Sequence, residues 1–147
     1  MMRLAKFLFA GLAALAGTIA SASAADLVAV RVDDPGVCAK GAVLGMITKR
    51  FQHQVRNVPH LPRVAIADFY RIGESLHLPR QHDRPIDRRY CHAKVALSNG
   101  GVRDIWYLIE RPMGFAGVGS NVEFCVSGFD RWNVYDGRCR VLRPALW

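Results

Sequence analysis

The stretch RRYCHAKVALSNGGVRDIWYLIER, residues 88–111, predicts the centre of an antiparallel sheet. Apolar and polar side chains alternate on both sides of Asn99-Gly100-Gly101, which is the period of a half-buried strand. Asn-Gly-Gly between two such runs predicts a β-hairpin whose three-residue loop places a glycine in the left-handed conformation. With residues 99–101 as the loop, Cys91 opposes Ile109, and the apolar faces of the two strands coincide.

The rest of the chain supplies the elements that surround this hairpin. The patterns predict a helix over 37–55, a strand over 63–72, a long loop over 73–87, a strand over 121–127 and an irregular tail over 128–147. Asp34 and Pro35 provide the start signal of the helix. We therefore expect an α+β domain with one long helix packed on a roughly four-stranded antiparallel sheet, its strands in chain order. This layout resembles cystatin-like and NTF2-like folds, a likeness of shape that implies no function.

The buried faces follow from the same periodicities. Apolar side chains recur at helical spacing at Leu44, Ile47, Phe51 and Val55. Gly41 and Gly45 weaken a helix, and we expect them where the helix approaches the sheet closely. Tyr107 is predicted in the core, and its neighbour Trp106 on the outer face of the sheet, where the tail can cover it.

Residues 1–24 have the pattern of an export signal peptide. Arg3 and Lys6 precede an apolar run, and Ala22-Ser23-Ala24 offers small residues at a cleavage site before position 25. The run is shorter than the roughly 20 residues that a membrane-spanning helix needs. We therefore expect residues 25–147 to form one exported domain, periplasmic or secreted, without a transmembrane span.

Cys38, Cys91, Cys125 and Cys139 are an even set in a chain predicted to be exported, which indicates two disulfides. Cys91 and Cys125 point to opposite faces of strands that a third strand separates by about 10 Å, too far for a bond. Either Cys38–Cys91 with Cys125–Cys139 or the crossed pairing remains. We favour the first because its second bond closes a short local loop. On an ideal helix Cys38 lies away from the Ile47 face, so the first turn must sit differently.

The charge of the predicted mature chain favours anionic partners. Its 18 Lys and Arg against 12 acidic residues give a net charge of +6, which suits a phosphorylated glycolipid, an acidic polysaccharide or an acidic protein surface. Export argues against nucleic acid. Arginine-rich loops hold phosphate and carboxylate groups through charge-assisted hydrogen bonds. The candidate anion-binding residues are Arg80, Arg84, Arg88, Arg89, His82 and His92. The alternative is a solvated basic loop and edge strand.

The sequence gives weaker evidence for catalysis than for anion binding. There is no G-x-S-x-G, and the cysteines are assigned to disulfides. His82-Asp83 suits a general base, and Glu74, Asp83 and Asp87 suit paired carboxylates. The spacing of His77, His82 and Asp83 matches no zinc pattern. We assign no catalytic residue, metal ligand or cofactor, and favour a binding or interaction protein. A secreted hydrolase using the 77–94 loop, or an exported inhibitor or virulence-type partner, is the alternative.

Several short motifs resemble those of uncharacterised small exported proteins of α-proteobacteria. They are Arg89-Tyr90-Cys91, Glu123-Phe124-Cys125, Gly128-Phe129-Asp130-Arg131-Trp132, Tyr135-Asp136 and Cys139-Arg140. The resemblance covers most of the predicted mature chain, and its motifs are structural. It implies an exported two-disulfide domain and no particular activity.

Overall fold

A computed structural model describes residues 36–113 and 118–144. The predicted signal peptide, 1–24, and the helix start at Asp34 and Pro35 lie outside these residues. The elements in chain order are α1 (Gly41–Asn57), β1 (Ile66–Leu78), β2 (Asp87–Leu97), β3 (Val102–Arg111), β4 (Asn121–Val126) and a short 3₁₀ turn, Arg140–Leu142. The strands form one antiparallel sheet in the order β1-β2-β3-β4. The α+β class and the strand order are therefore confirmed.

Helix α1 has 17 residues and is shorter than predicted. It begins at Gly41 because residues 36–39 form turns, with Lys40 in an extended conformation ahead of the helix. Cys38 therefore lies in a turn, and this explains how it reaches the sheet. The buried side chains of α1 recur every four residues, so that one face of the helix packs on the sheet: Val43, Ile47, Phe51 and Val55.

Two details of the helix differ from the prediction. Val43 is buried, whereas Leu44 is only partly buried. Gly41 and Gly45 have no neighbouring atom within 4 Å of the position that a Cβ would take. The expectation that these glycines allow close contact with the sheet is therefore wrong. They lie on the exposed side of the helix.

Strand β1 extends to Leu78, so the prediction that residues 73–78 belong to a loop is wrong. Its pairing with β2 is interrupted by register shifts, one of them between Tyr70 and Gly73. Each irregularity changes which side chains share a face, and this breaks the two-residue period by which a strand is recognised in sequence. The connection between β1 and β2 is consequently only residues 79–86.

The β2–β3 hairpin forms as predicted, in a different register. Cys91 lies opposite Tyr107, so the predicted pairing was wrong by two residues. The loop is residues 98–100: the Gly100 amide donates to the Leu97 carbonyl at 2.9 Å, and Gly100 takes the left-handed conformation at φ +80°. A shift of two residues keeps every side chain on its predicted face, because the side-chain period of a strand is two.

The disulfide pairing is confirmed. Cys38–Cys91 joins the turn before α1 to β2, with its Cα atoms 5.9 Å apart, and Cys125–Cys139 joins β4 to the tail, at 5.5 Å. The main core lies between α1 and the inner face of the sheet. Within it, the fully buried Tyr107 donates its hydroxyl proton to the Cys38 carbonyl at 2.9 Å.

A smaller apolar cluster covers part of the outer face of the sheet. Its buried members are Leu108, Cys125, Cys139 and Leu142, with Tyr90, Trp106 and Tyr135 packed against them. The tail therefore covers Trp106 in part, as expected. Within the described ranges, no helix is both long enough and apolar enough to cross a membrane.

Candidate anion-binding cleft

The arginines predicted to form one anion site are divided between the two faces of the sheet. On the outer face, Arg88 Nε donates to Glu110 Oε1 at 2.9 Å, and this hydrogen bond raises the pKa of Arg88. On the inner face, Arg89 Nη1 donates to Glu74 Oε2 at 2.7 Å. Successive residues of a strand point to opposite faces, so Arg88 and Arg89 cannot bind one ligand together.

The other predicted residues also do not converge. Arg80 and His82 are exposed on the 79–86 connection. Arg84 is half-buried there, and its buried Nη1 atom has no hydrogen-bond partner within the part of the chain that the structure describes. His92 lies on the outer face of β2. Only His92 belongs to a cleft in which several cationic groups meet.

That cleft is a shallow cavity of about 300 Å³ on the outer face of the sheet. It is lined by residues of three adjacent strands: Arg71 from β1, His92, Ala93 and Lys94 from β2, and Asp104 and Trp106 from β3. His92 lies opposite Trp106 in the sheet, and Lys94 lies opposite Asp104. These four side chains therefore form two neighbouring cross-strand pairs on the outer face.

Arg71 reaches the cleft because of the irregularity in β1. The register shift between Tyr70 and Gly73 inserts an extra residue into the strand, and Arg71 adopts a φ of +52°. A bulge of this kind re-aims a side chain. A non-glycine residue in the left-handed region costs about 1 kcal/mol or more, and such residues cluster at functional sites. No ion-pair partner of Arg71 exists among the described residues.

His92 is held by two features of β1. The ring lies over Gly73, where a Cβ would come within 2.7 Å of His92 Cε1. Ser75 Oγ lies 2.9 Å from His92 Nδ1 in hydrogen-bond contact. The glycine and the serine therefore fix the ring at the cleft by making room for it and by bonding one nitrogen.

The opposite side of the cleft carries one ion pair and one aromatic ring. Lys94 Nζ lies 2.5 Å from Asp104 Oδ1, which positions the ammonium group. Arg143 Cζ from the tail lies 4.8 Å from the centre of the Trp106 ring, in a cation–π contact. Because Asp104 is the sole carboxylate among the described residues that line the cleft, Arg71 and Lys94 give this lining a net positive charge. Such a cleft suits a carboxylate or phosphate attached to a small ring.

A second polar cluster lies on the inner face, at the end of β1 and β2. His77 Nε2 lies 2.6 Å from Asp87 Oδ2, and Arg89 bridges Asp87, at 3.5 Å, to Glu74. The Glu74 side chain is 4% exposed, and its Oε1 atom has no hydrogen-bond partner among the described residues. In the part of the chain that the structure describes, no group of three or more His, Cys, Asp or Glu side chains is arranged to hold a metal ion.

Sequence reasoning identified one member of the cleft, His92, and missed Arg71 as a ligand-binding candidate. The alternation of the strands predicted Trp106 on the outer face, and the same alternation assigns Lys94 and Asp104 to that face with His92. No sequence signal marks the bulge that brings Arg71 to them. Comparison with known proteins matched no family model, no curated protein and no solved structure.

Proposed function

We propose that this chain is an exported binding protein for an anionic component of the cell envelope, and that the ligand's anionic group occupies the cleft on the outer face of the sheet. The observation that carries the proposal is Arg71. Its side chain has no ion-pair partner among the described residues, and a bulge with a left-handed residue directs it toward Lys94 and Trp106. A strained backbone that places an unpaired arginine in a concave site supports a binding role.

The location outside the cytoplasm belongs to the same proposal. Two disulfides between described residues are compatible with an oxidising compartment, and residues 1–24 have the signal-peptide pattern. The proposed place is the periplasm or the extracellular space, among the small exported proteins of α-proteobacteria that the motifs resemble. The resemblance to cystatin-like and NTF2-like layouts remains part of this proposal.

The chemistry of the cleft favours an acidic saccharide among the possible anionic ligands. Arg71 offers a planar fork of donors to a carboxylate, phosphate or sulfate, and Lys94 a point charge. The half-buried Trp106 adds an apolar surface beside these cations. A sugar ring presents an apolar face and pendant anionic groups, so it matches both features.

Titration with a heparin-derived disaccharide tests the proposal. Arg71→Asn removes the cation and keeps a residue that tolerates positive φ; Arg63→Asn, at an exposed arginine outside the cleft, is the matched control. We expect Arg71→Asn to weaken binding about tenfold, since a hydrogen bond to a charged group contributes about 1.5 kcal/mol or more. Binding should also weaken with added salt. Equal affinities of the two variants would contradict the assignment of the cleft.

The second candidate is a hydrolase, and the His77–Asp87 pair favours it. A carboxylate 2.6 Å from an imidazole nitrogen orients the ring as a general base. Among the described residues, no hydroxyl or thiol bonds to His77, so water would be the nucleophile. A panel of ester, glycoside and phosphoester substrates, tested with the wild type and His77→Gln, decides this candidate. Turnover lost in His77→Gln would support it, and no turnover above buffer would reject it.

A further inference from the structure

A second concave site lies next to the cleft, on the tail that follows β4. It has a volume of about 310 Å³ and is lined by Asp136, Gly137, Arg138, Arg140 and Arg143. The Cys125–Cys139 disulfide attaches this part of the tail to the sheet, and Cys139 and Leu142 are buried against it. The arginines therefore project from a segment that is fixed at two points.

Three arginines and one carboxylate line this second site. Asp136 holds Arg140, whose Nη2 lies 3.1 Å from Asp136 Oδ2 and whose Nε donates to the Asp136 carbonyl at 2.9 Å. Arg138 and Arg143 have no ion-pair partner in the described ranges. Arg138, like Arg71, takes a positive φ, at +50°. Arg143 Nη1 donates to the Arg138 carbonyl at 3.5 Å, so the guanidinium groups of Arg138 and Arg143 keep donors that no carboxylate of the described residues occupies.

Arg143 and Trp106 join the two sites. Arg143 lines the second site, Trp106 lines the cleft, and Arg143 Cζ lies 4.8 Å from the Trp106 ring centre. Together the two sites carry five Lys and Arg against Asp104 and Asp136, and each of these carboxylates is already paired with a cation. The result is a continuous cationic track across the outer face of the sheet and the tail.

We infer that this track binds a linear acidic polysaccharide, one acidic unit in the cleft and a later unit at Arg138 and Arg143. The inference rests on the proposed function and adds the chain-like nature of the ligand. A compact anion fills one concavity only, whereas two adjacent concavities with the same charge suit repeated anionic groups. A chain that engages both sites gains affinity by avidity, because its second contact is intramolecular.

Calorimetric titration with heparin-derived disaccharide and octasaccharide tests the inference at fixed salt. For the wild type we expect the octasaccharide to bind at least about tenfold more tightly than the disaccharide. The double variant Arg138→Asn/Arg143→Gln should lose most of this advantage, and Arg63→Asn should retain it. Arg143→Gln alone, which removes the contact with Trp106 between the two sites and keeps Arg138, is the second test variant. Circular dichroism confirms that each variant is folded.

The outcomes separate the inference from the proposed function. Disaccharide binding with an octasaccharide advantage that survives both test variants would overturn the inference and leave the cleft intact. Failure of both saccharides to bind the wild type would overturn the proposed function as well. If an oligothymidylate of equal charge binds as tightly as the octasaccharide and responds to the same variants, the assignment to polysaccharide is wrong and the track recognises polyanions by charge alone.

Discussion

The imidazole ring of His92 occupies the space that a side chain at Gly73 would need. A Cβ at Gly73 would lie 2.7 Å from His92 Cε1 and 2.8 Å from Nε2, closer than such atoms can approach. His92 is exposed and can move, so Gly73→Ala should displace the ring and break its contact with Ser75. We expect a change of the His92 NMR signals and weaker ligand binding, with only a small loss of stability.

Gly45→Ala is the control for this substitution. Gly45 lies exposed within α1, with no atom within 4 Å of a Cβ position, and alanine in a helix is favoured over glycine by about 1 kcal/mol. Gly45→Ala should therefore raise the melting temperature and leave the His92 signals unchanged. If Gly73→Ala also leaves these signals unchanged, the glycine does not position the ring.

Arg88 has a structural role through Glu110, the one buried charged residue in the described ranges. Arg88→Met would leave Glu110 with only a 3.4 Å contact from Asn121 Nδ2. Because Arg88 is about one third exposed, water compensates in part, and we expect a loss of about 1–2 kcal/mol in urea unfolding. Arg80→Met, at an exposed position, should stay within about 0.5 kcal/mol.

A double substitution checks the cause of this loss. Replacing both partners of a buried polar pair by apolar side chains costs less than removing one of them. Arg88→Met/Glu110→Met should accordingly recover stability relative to Arg88→Met. A double variant that is less stable than both single variants would show that the destabilisation has another origin.

The two disulfides should differ in their contribution to stability. Cys38–Cys91 closes a loop with a sequence separation of 53 residues, whereas Cys125–Cys139 closes one of 14. If each disulfide stabilises the protein by lowering the entropy of the unfolded chain, these loop lengths correspond to stabilisation by about 4 and about 3 kcal/mol. Denaturant unfolding of Cys38→Ala/Cys91→Ala and Cys125→Ala/Cys139→Ala compares them. A larger loss from the second pair would mean that its packing on the outer face outweighs loop length.

The buried Tyr107 should make the native state less stable at alkaline pH. Burial raises the pKa of Tyr107, so the native state keeps a proton that the unfolded state releases near the ordinary tyrosine pKa of about 10. The contribution of this group to the free energy of unfolding is fully present below about pH 10 and is lost as the pH rises further. Burial raises the pKa of Tyr135 as well, so both residues act in the same direction. Thermal unfolding between pH 8 and 11.5 measures the decline.

Tyr107→Phe isolates the contribution of one phenol. The variant loses the hydrogen bond to the Cys38 carbonyl and should be about 1 kcal/mol less stable at pH 7. Above pH 10 its stability should fall less steeply than that of the wild type, because one titrating group is gone. Parallel pH profiles for the two proteins would refute the assignment.

The alternation of residues 88–111 determined the hairpin and the faces of its strands. Cys91 and Cys125 were assigned to opposite faces from local pattern alone, which excluded a bond between them and left two pairings, and the structure has the favoured one. The helix end and β4 were also predictable, because caps and alternation act over a few residues. These features depend on neighbours in sequence.

The extent of β1 and the composition of the cleft were decided only by the tertiary structure. The bulge at Arg71 depends on pairing with β2, and it disrupts the period by which sequence reveals a strand. The residues predicted as one anion site include Arg88 and Arg89, which β2 directs to opposite faces. Arg143 meets Trp106 because the disulfide and the buried Leu142 hold the tail on the sheet. Contacts between residues distant in sequence depend on packing, and no local pattern encodes them.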